Sequence, residues 1–111
     1  MTAADERFAR IAKALADPRR FDILRTIAGH REIACQRLCE EFPVAQPTMS
    51  HHLKELARAG LIAPWREGQF VYYRFRPETM RDYLRALQAD LGMAAAGGRA
   101  RRDPSRGTAG I

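Results

Sequence analysis

The sequence predicts a mainly α-helical fold that carries one β-hairpin. Apolar residues recur at steps of three and four in successive segments up to Ile62, as the buried stripe of a helix requires. The pattern then changes to FVYYRF at residues 70–75, whose aromatic and β-branched residues suit a strand, before Pro77 opens a last helical segment. A chain of 111 residues, 46% of them hydrophobic, can build one small core, which would gain stability from dimerisation.

The first two helices are predicted from their apolar stripes and from one cap. The stripe of the first helix consists of Phe8, Ile11, Ala12 and Leu15. Asp17 followed by Pro18 indicates a helix start, because the Asp side chain can cap the first turn. Proline is tolerated at the first helical position, since an N–H there would have no partner within the helix. The stripe of this second helix is expected to be Phe21, Leu24 and Ile27, and the helix is expected to end at Gly29.

The third and fourth helices are expected to form a helix-turn-helix. The third lies within residues 31–42, and its apolar stripe is Cys35, Leu38, Cys39 and Phe42. Only Val44 and Ala45 separate Pro43, which ends this helix, from Gln46, which opens the next. A turn that short sets two helices at a steep angle. Because Ala45 is a poor N-cap, the start of the fourth helix is weakly fixed.

The fourth helix is the predicted recognition helix. Its buried stripe is Met49, Leu53 and Leu56, and Gly60 is expected to end it in the left-handed conformation. The opposite face has no bulky apolar residue and begins with short polar side chains that can reach base edges or phosphates. The predicted DNA contacts on this face are Gln46, Thr48, Ser50, His51, Lys54 and Arg58.

The segment after the recognition helix is predicted to form a wing. Two strands joined by the turn at residues 66–69 make a β-hairpin, and Arg66 and Gln69 at its tip are further predicted DNA contacts. The aromatic residues Trp65, Phe70, Tyr72, Tyr73 and Phe75 could instead stack single-stranded bases, but packing is favoured because a two-stranded hairpin needs them to cover the core. The last helix has the apolar stripe Met80, Tyr83, Leu84, Leu87 and Leu91.

Charge and composition favour a polyanionic partner. The chain has 19 Lys and Arg against 13 Asp and Glu, a formal net charge of +6. From Gly92 onward the residues are small, Gly-rich and dotted with arginine, so we predict a folded domain over residues 1–91 and a disordered basic tail over residues 92–111. Such a tail could add salt-sensitive attraction to DNA, although a solvated tail without a role is the favoured interpretation.

The sequence further predicts a cytoplasmic protein that does not enter a membrane. No apolar run approaches the roughly 18 to 20 residues of a membrane span, and the N-terminal segment MTAADERF has no signal-peptide pattern. Two cysteines, Cys35 and Cys39, are too few and too close for a disulfide scaffold, which agrees with a reducing compartment. Catalysis is disfavoured, because the chain has no Gly-rich phosphate loop and no nucleophile with a base at an informative spacing.

Three segments together resemble the ArsR-type family of bacterial winged helix-turn-helix repressors. They are SHHLKELARAGLI at residues 50–62, LADPRR at residues 15–20 and EGQFVYY at residues 67–73. The resemblance implies transcriptional repression by a homodimer until an inducer weakens DNA binding. It also implies a dimer interface made by the first and last helices, with Phe8, Ile11, Met80, Tyr83, Leu84, Leu87 and Leu91 as its candidate residues.

The metal sites of that family do not carry over to this chain. Its cysteine motif on the third helix aligns with Ala34, Gln36 and Cys39, and two of these cannot bind a metal. The family's zinc site between paired last helices uses histidine, which this last helix lacks, and zinc favours nitrogen or sulfur ligands. We therefore expect neither a metal site nor a cofactor.

Cys35 and Cys39 remain as a candidate thiol sensor. They lie one helical turn apart, too far for a relaxed disulfide, so two thiolates on a soft ion are more feasible. Packing of both as small hydrophobic residues is the favoured alternative. Of the histidines, His51 is expected to meet DNA and His52 to flank the core, whereas a metal site made by this adjacent pair is disfavoured.

Two functions remain open at this stage. The favoured one is sequence-specific binding of a double-stranded inverted-repeat operator, with the two recognition helices about 34 Å apart in successive major grooves. The alternative is a winged helix that binds another protein and has no specific DNA target. The polar and basic surface of the recognition helix favours DNA, and the sequence does not identify the operator or the inducer.

Overall fold

The computed structural model describes residues 3–93, so the predicted tail beyond Met93 lies outside the described residues. Five helices and three strands follow one another in the order α1 Ala3–Ala16, α2 Pro18–Ala28, β1 Ile33–Ala34, α3 Cys35–Glu41, α4 Gln46–Arg58, β2 Ile62–Glu67, β3 Phe70–Phe75 and α5 Pro77–Asp90. They form two compact units, one up to Thr79 and one from Met80 onward. Within the described part of the chain, no helix is long and apolar enough to cross a membrane.

The predicted helix-turn-helix and hairpin are confirmed. Asp17 caps α2 by accepting a hydrogen bond from the backbone amide of Arg20 at 3.0 Å, with proline in the first turn as expected. Helix α4 begins at Gln46, and Ala45 before it provides no side-chain cap. Strands β2 and β3 pair antiparallel around a turn in which Gly68 has a φ of 63°. The predicted cap of α2, the predicted start of α4 and the predicted turn of the hairpin are therefore all present in the structure.

Gly60 ends the recognition helix as predicted. Its φ is 78°, in the left-handed region that favours glycine. The amide of Gly60 donates to the carbonyl of Ala57 at 2.9 Å, and the amide of Leu61 donates to that of Leu56 at 3.0 Å. These two bonds define a Schellman motif, in which the apolar residue after the glycine packs against the last turn. Leu56 and Leu61, both 0% exposed, meet this requirement.

The core of the first unit lies between α2, α3, α4 and the base of the hairpin. Its fully buried aliphatic and Met side chains are Ile23, Ile27, Leu38, Met49, Leu56, Leu61 and Ile62. The stripe predicted for α4 is confirmed, since Met49 and Leu53 are buried beside Leu56. The core therefore supports the recognition helix along one side and leaves its other side exposed.

Two predicted stripes were partly wrong. In α2, Phe21 is 42% exposed beneath the guanidinium of Arg25, and Ile23 takes its place in the core. In α1, Ala14 is buried whereas Ala12 is exposed. Both helices still bury one face, but the buried face is rotated by part of a turn from the predicted one.

The third helix lies within the predicted segment, but a strand that was not predicted precedes it. Ile33 and Ala34 form β1, which pairs antiparallel with β3 opposite Tyr73 and Tyr72. The sheet therefore has three strands in the order β1-β3-β2. Of the stripe predicted for α3, Leu38 is buried, while both cysteines and Phe42 are half-buried. This pairing fixes the cysteine-bearing helix to the wing.

Two aromatic residues of the hairpin pack against each other. Trp65 and Tyr72 are cross-strand partners whose rings stack with centroids 5.7 Å apart and planes 21° apart. Both are half-buried, and Phe70 near the turn is 43% exposed. Cross-strand aromatic pairs stabilise antiparallel strands, which favours the packing interpretation over a platform for single-stranded bases.

Candidate nucleic-acid interface

The outward face of α4 is polar along its whole length. All six side chains predicted to contact DNA on this helix are exposed, and Arg66 and Gln69 near the tip of the wing are exposed too. The six are Gln46, Thr48, Ser50, His51, Lys54 and Arg58. The structure therefore brings hydrogen-bonding and cationic groups together on one helix face that has no part in the core.

The start of α4 is open to an anion. Ala45 provides no cap and Pro47 has no amide hydrogen, so the amides of Gln46 and Thr48 are the first-turn donors that have no side-chain acceptor from Ala45. Unpaired amides together with the helix dipole attract phosphate or another anion at a helix N-terminus. Gln46 and Thr48, both predicted DNA contacts, stand in this first turn.

The two cations of this face, Lys54 and Arg58, differ in whether they already form an ion pair. Lys54 makes no ion pair with any described residue. Arg58 is paired with Glu55 three residues earlier, with Nη1 3.1 Å from Oε2. An exposed pair of this kind contributes little to stability, about 0 to 1 kcal/mol, so phosphate can compete for the arginine. Lys54 is thus the cation that a phosphate could bind without breaking an existing pair.

His52 is buried behind the polar face and joins α4 to α2. It is 7% exposed, and its Nδ1 accepts a hydrogen bond from Nε of Arg20 at 3.3 Å. Burial lowers the pKa of His52, the Asp17 carboxylate acts in the opposite direction, and the cations Arg20 and Arg19 and the neighbouring His51 lower it further. The bond requires an unprotonated Nδ1, so the neutral imidazole is the form that holds the two helices together.

The lowered pKa of His52 predicts a loss of stability in mild acid. Below the ordinary pKa of 6.5 the unfolded chain takes up a proton that the folded chain resists. Stability should therefore be complete above pH 6.5 and fall as the pH drops from 6.5 towards the lower pKa of the folded state. We expect urea midpoints to decrease across this window in the wild type. In His52→Asn, whose amide oxygen can replace Nδ1 as acceptor, the decrease should be smaller, and an equal decrease would show that other groups cause it.

A cavity of about 440 Å³ lies between α3, the start of α4 and the wing. Its walls include both thiols and both glutamines predicted to contact DNA: Cys35, Cys39, Gln46 and Gln69. Burial and then the neighbouring Cys39 raise the pKa of the Cys35 thiol, whereas the Tyr73 hydroxyl, donating to its sulfur, lowers it. Burial and Cys35 in turn raise the pKa of Tyr73 to about 12. Cys35 is therefore a neutral thiol near neutral pH.

The sequence interpretation missed two features of this region. The bond between Arg20 and His52 joins residues 32 positions apart, and no local pattern predicts such a pair. The cavity that joins thiols to glutamines was missed for the same reason, although the stripe predicted for α3 had already placed both cysteines on one side. Within residues 3–93, no three His, Cys, Asp or Glu side chains lie close enough together to hold a metal ion.

The residues predicted for a dimer interface differ in exposure. In α1, Ile11 is 3% exposed and packs within its own unit, whereas Phe8 is half-buried. In α5, Leu84 is 50% and Leu91 68% exposed. The remaining candidates, Met80, Tyr83 and Leu87, are half-buried. The second unit thus presents large apolar side chains to solvent in the single chain.

Comparisons with known proteins agree on one kind of regulator. A family model described as a helix-turn-helix domain matches residues 15–64. The chain is 35% identical over 74 residues to the transcriptional repressor SdpR of Bacillus subtilis, covering 67% of this chain and 81% of that protein. It is 36% identical over 74 residues to the arsenical resistance operon repressor of Staphylococcus xylosus, covering 67% of this chain and 69% of the repressor.

A solved structure agrees with these relatives. It is the homodimeric winged helix-turn-helix DNA-binding domain of a possible ArsR-family transcriptional regulator from Mycobacterium bovis. The two chains are 33% identical, and the match has a TM-score of 0.65 and covers 79% of this chain and 82% of that one. Sequence and structure comparisons thus point to the same type of fold.

Proposed function

The chain belongs to the ArsR-type family of winged helix-turn-helix transcriptional regulators, and we propose that it is a homodimeric repressor that binds an inverted-repeat operator in double-stranded DNA. It acts in the cytoplasm by occluding a promoter. The observation that carries the proposal is the exposed polar face of α4, whose opposite face is the centre of the core. A helix buried on one side and cationic on the other, with an uncapped N-terminus, is suited to lie in a major groove.

Each exposed residue has a role that follows from its chemistry. Gln46 is proposed to bond an adenine through its amide, and Thr48, Ser50 and His51 to make permissive contacts near base edges. Lys54 and Arg58 on the helix, with Arg66 on the wing, are proposed to bind phosphates, and Gln69 to contact the backbone or the minor groove. This division separates the residues that specify sequence from those that supply affinity.

Dimerisation is proposed to use α1 and α5. The Mycobacterium bovis neighbour is a homodimer, and Leu84 and Leu91 of this chain are exposed apolar side chains that a partner copy could cover. Phe8, Ile11, Met80, Tyr83 and Leu87 complete the proposed interface. A twofold dimer presents its two recognition helices about 34 Å apart, one duplex turn, which predicts an operator with two inverted half-sites.

Replacing Gln46 with alanine should relax sequence preference at one base pair of each half-site. We expect selection from a random duplex library to yield an inverted repeat with the wild type. The same selection with Gln46→Ala should give a repeat that is degenerate at one position, because a bidentate amide contact supplies about 1 to 3 kcal/mol of discrimination. Recovery of the identical consensus would show that Gln46 does not touch a base.

The competing function is protein binding without specific DNA recognition. A gel-shift assay on random duplex at two salt concentrations separates the two, because phosphate contacts make DNA affinity fall steeply as salt rises. If the chain is a repressor, binding should weaken by at least about tenfold between roughly 50 and 200 mM salt. No binding at either concentration, or binding indifferent to salt, would favour the protein-interaction module.

A second candidate function, thiol-based sensing by Cys35 and Cys39, is favoured by the shared cavity. An adduct on either thiol would occupy the space that Gln46 and Gln69 also border. The raised pKa of Cys35 makes it a slow nucleophile towards a mild oxidant. Arsenite suits the site better, because two of its hydroxide ligands leave as water with the two thiol protons while As(III) binds both sulfurs. Arsenite should then release operator DNA from the wild type and leave a Cys35→Ser, Cys39→Ser double variant bound. Unchanged binding by the wild type would leave the cysteines as packing residues.

A further inference from the structure

A second and larger cavity, of about 570 Å³, lies between α1, α2 and α4. Its charged and polar lining comprises Glu6, Arg10, Lys13, Arg20, His51 and Glu55. The α1 residues fall at steps of four and three, so one polar stripe of that helix forms a wall of the cavity. His51 and Glu55, one turn apart on the recognition helix, line it as well. The polar surface of α4 therefore borders two cavities.

The cations of this cavity are open to an incoming ligand. Arg10 follows Glu6 by four residues, the spacing at which helical ion pairs form, yet neither Arg10 nor Lys13 is paired with any described residue. Arg20 is held at the wall by the bond from its Nε to His52, and a guanidinium has five N–H donors in all. Its Nη groups thus remain for a second acceptor.

The carboxylates of the cavity do not cancel this positive charge. Glu55 accepts a hydrogen bond at 3.1 Å from Arg58, a cation that does not line the cavity. Glu6 is then the one lining carboxylate without an ion pair to a described residue, against the three lining cations Arg10, Lys13 and Arg20. A ligand with an oxyanion and a hydroxyl or amino group would satisfy both kinds of charge, whereas a cationic ligand would meet repulsion.

We propose that this cavity is an oxyanion site, in which Arg10, Lys13 and Arg20 bind a phosphate or carboxylate group. The group belongs either to a small molecule or to the DNA backbone beside the recognition helix. In both cases the group would lie beside His51 of α4 and beside Arg20, whose Nε is bonded to His52 of the same helix. This inference goes beyond the proposed function, and its first test needs no DNA.

The first test is calorimetric titration of the full chain with inorganic phosphate and with pyrophosphate, using sodium chloride at matched ionic strength as the blank. We expect saturable binding that becomes at least about tenfold weaker in Arg10→Ala, Lys13→Ala, since each charge-assisted hydrogen bond lost costs that much or more. Arg7→Ala is the matched control, because Arg7 is exposed on the same helix and does not line the cavity. Circular dichroism checks that all variants fold.

A second test distinguishes the sources of the oxyanion. If the group is a DNA phosphate, the double variant should bind random duplex with a shallower salt dependence and phosphate should compete with duplex. If it is a small molecule, the double variant should lose phosphate binding and keep its duplex affinity. Absence of saturable binding to either probe, or an equal loss in Arg7→Ala, would overturn the site even if operator binding is intact.

Discussion

Replacing Leu56 with alanine is expected to destabilise the first unit by about 2 to 5 kcal/mol, the range for a large aliphatic side chain lost from a core. Leu56 is 0% exposed, and its carbonyl accepts the Leu61 amide that ends the recognition helix. The substitution leaves a void that neighbours on several elements cannot fill without moving. Domains of this size are stable by about 5 to 15 kcal/mol, so the loss is a large share of the total.

Urea denaturation followed by circular dichroism at one fixed protein concentration measures this effect. Phe21→Ala is the control, because Phe21 is another large apolar residue but is 42% exposed, and it should cost about 1 kcal/mol. Since the core holds the recognition helix in place, Leu56→Ala should also weaken DNA binding in proportion to the unfolded fraction. A variant with the wild-type midpoint would contradict the assignment of Leu56 to the centre of the core.

The extent of helix α4 was predicted closely because local signals mark its limits, although Ala45 leaves its start without a side-chain cap. Pro43 stops the preceding helix, and Gly60 supplies a conformation that other residues rarely adopt. Between these limits, a strict stripe of apolar residues leaves a single face to bury. Once the buried stripe is known, the remaining face must be the exposed one, so the exposure of the six predicted DNA contacts on this helix needed no knowledge of the tertiary fold.

Two features were harder to predict than the ends of helices: which residues of a helix face the core, and which strands pair. In α2, both Phe21 and Ile23 lie near a helical stripe with Ile27, and the choice between them depends on which neighbours approach. Strand β1 has two residues, too few for any alternation to show, and exists because β3 is beside it. Both errors come from contacts made by segments distant in sequence.

The same limit applies to the candidate site. In the sequence the polar face of α4 is one surface, whereas in the structure Gln46 borders the thiol cavity and His51 borders the cationic one. Arg20 links the second cavity to His52. In the sequence, the segment that contains Arg20 was used only to predict the cap of α2. Positions along a helix predict exposure, but the three-dimensional fold decides what each exposed residue faces.

Replacing Lys54 with glutamate is expected to lower operator affinity by at least about a hundredfold at roughly 0.1 M salt. Each lysine–phosphate contact is worth about tenfold under these conditions, and a dimer loses two of them before the repulsion of the new carboxylates is counted. The effect should be uniform across sequences, and the slope of log affinity against log salt should become shallower by about one for each protomer. Fluorescence anisotropy with operator and random duplexes at several salt concentrations measures the operator affinity, the affinity for other sequences and the salt slope.

Arg31→Glu provides the matched control for charge alone. It changes the net charge by the same amount at an exposed turn residue before β1, to which no DNA contact is assigned. If long-range attraction by the net charge of +6 dominated binding, the two variants would lose affinity equally. A much larger loss in Lys54→Glu places a phosphate beside α4, since only a local contact depends on which residue carries the charge.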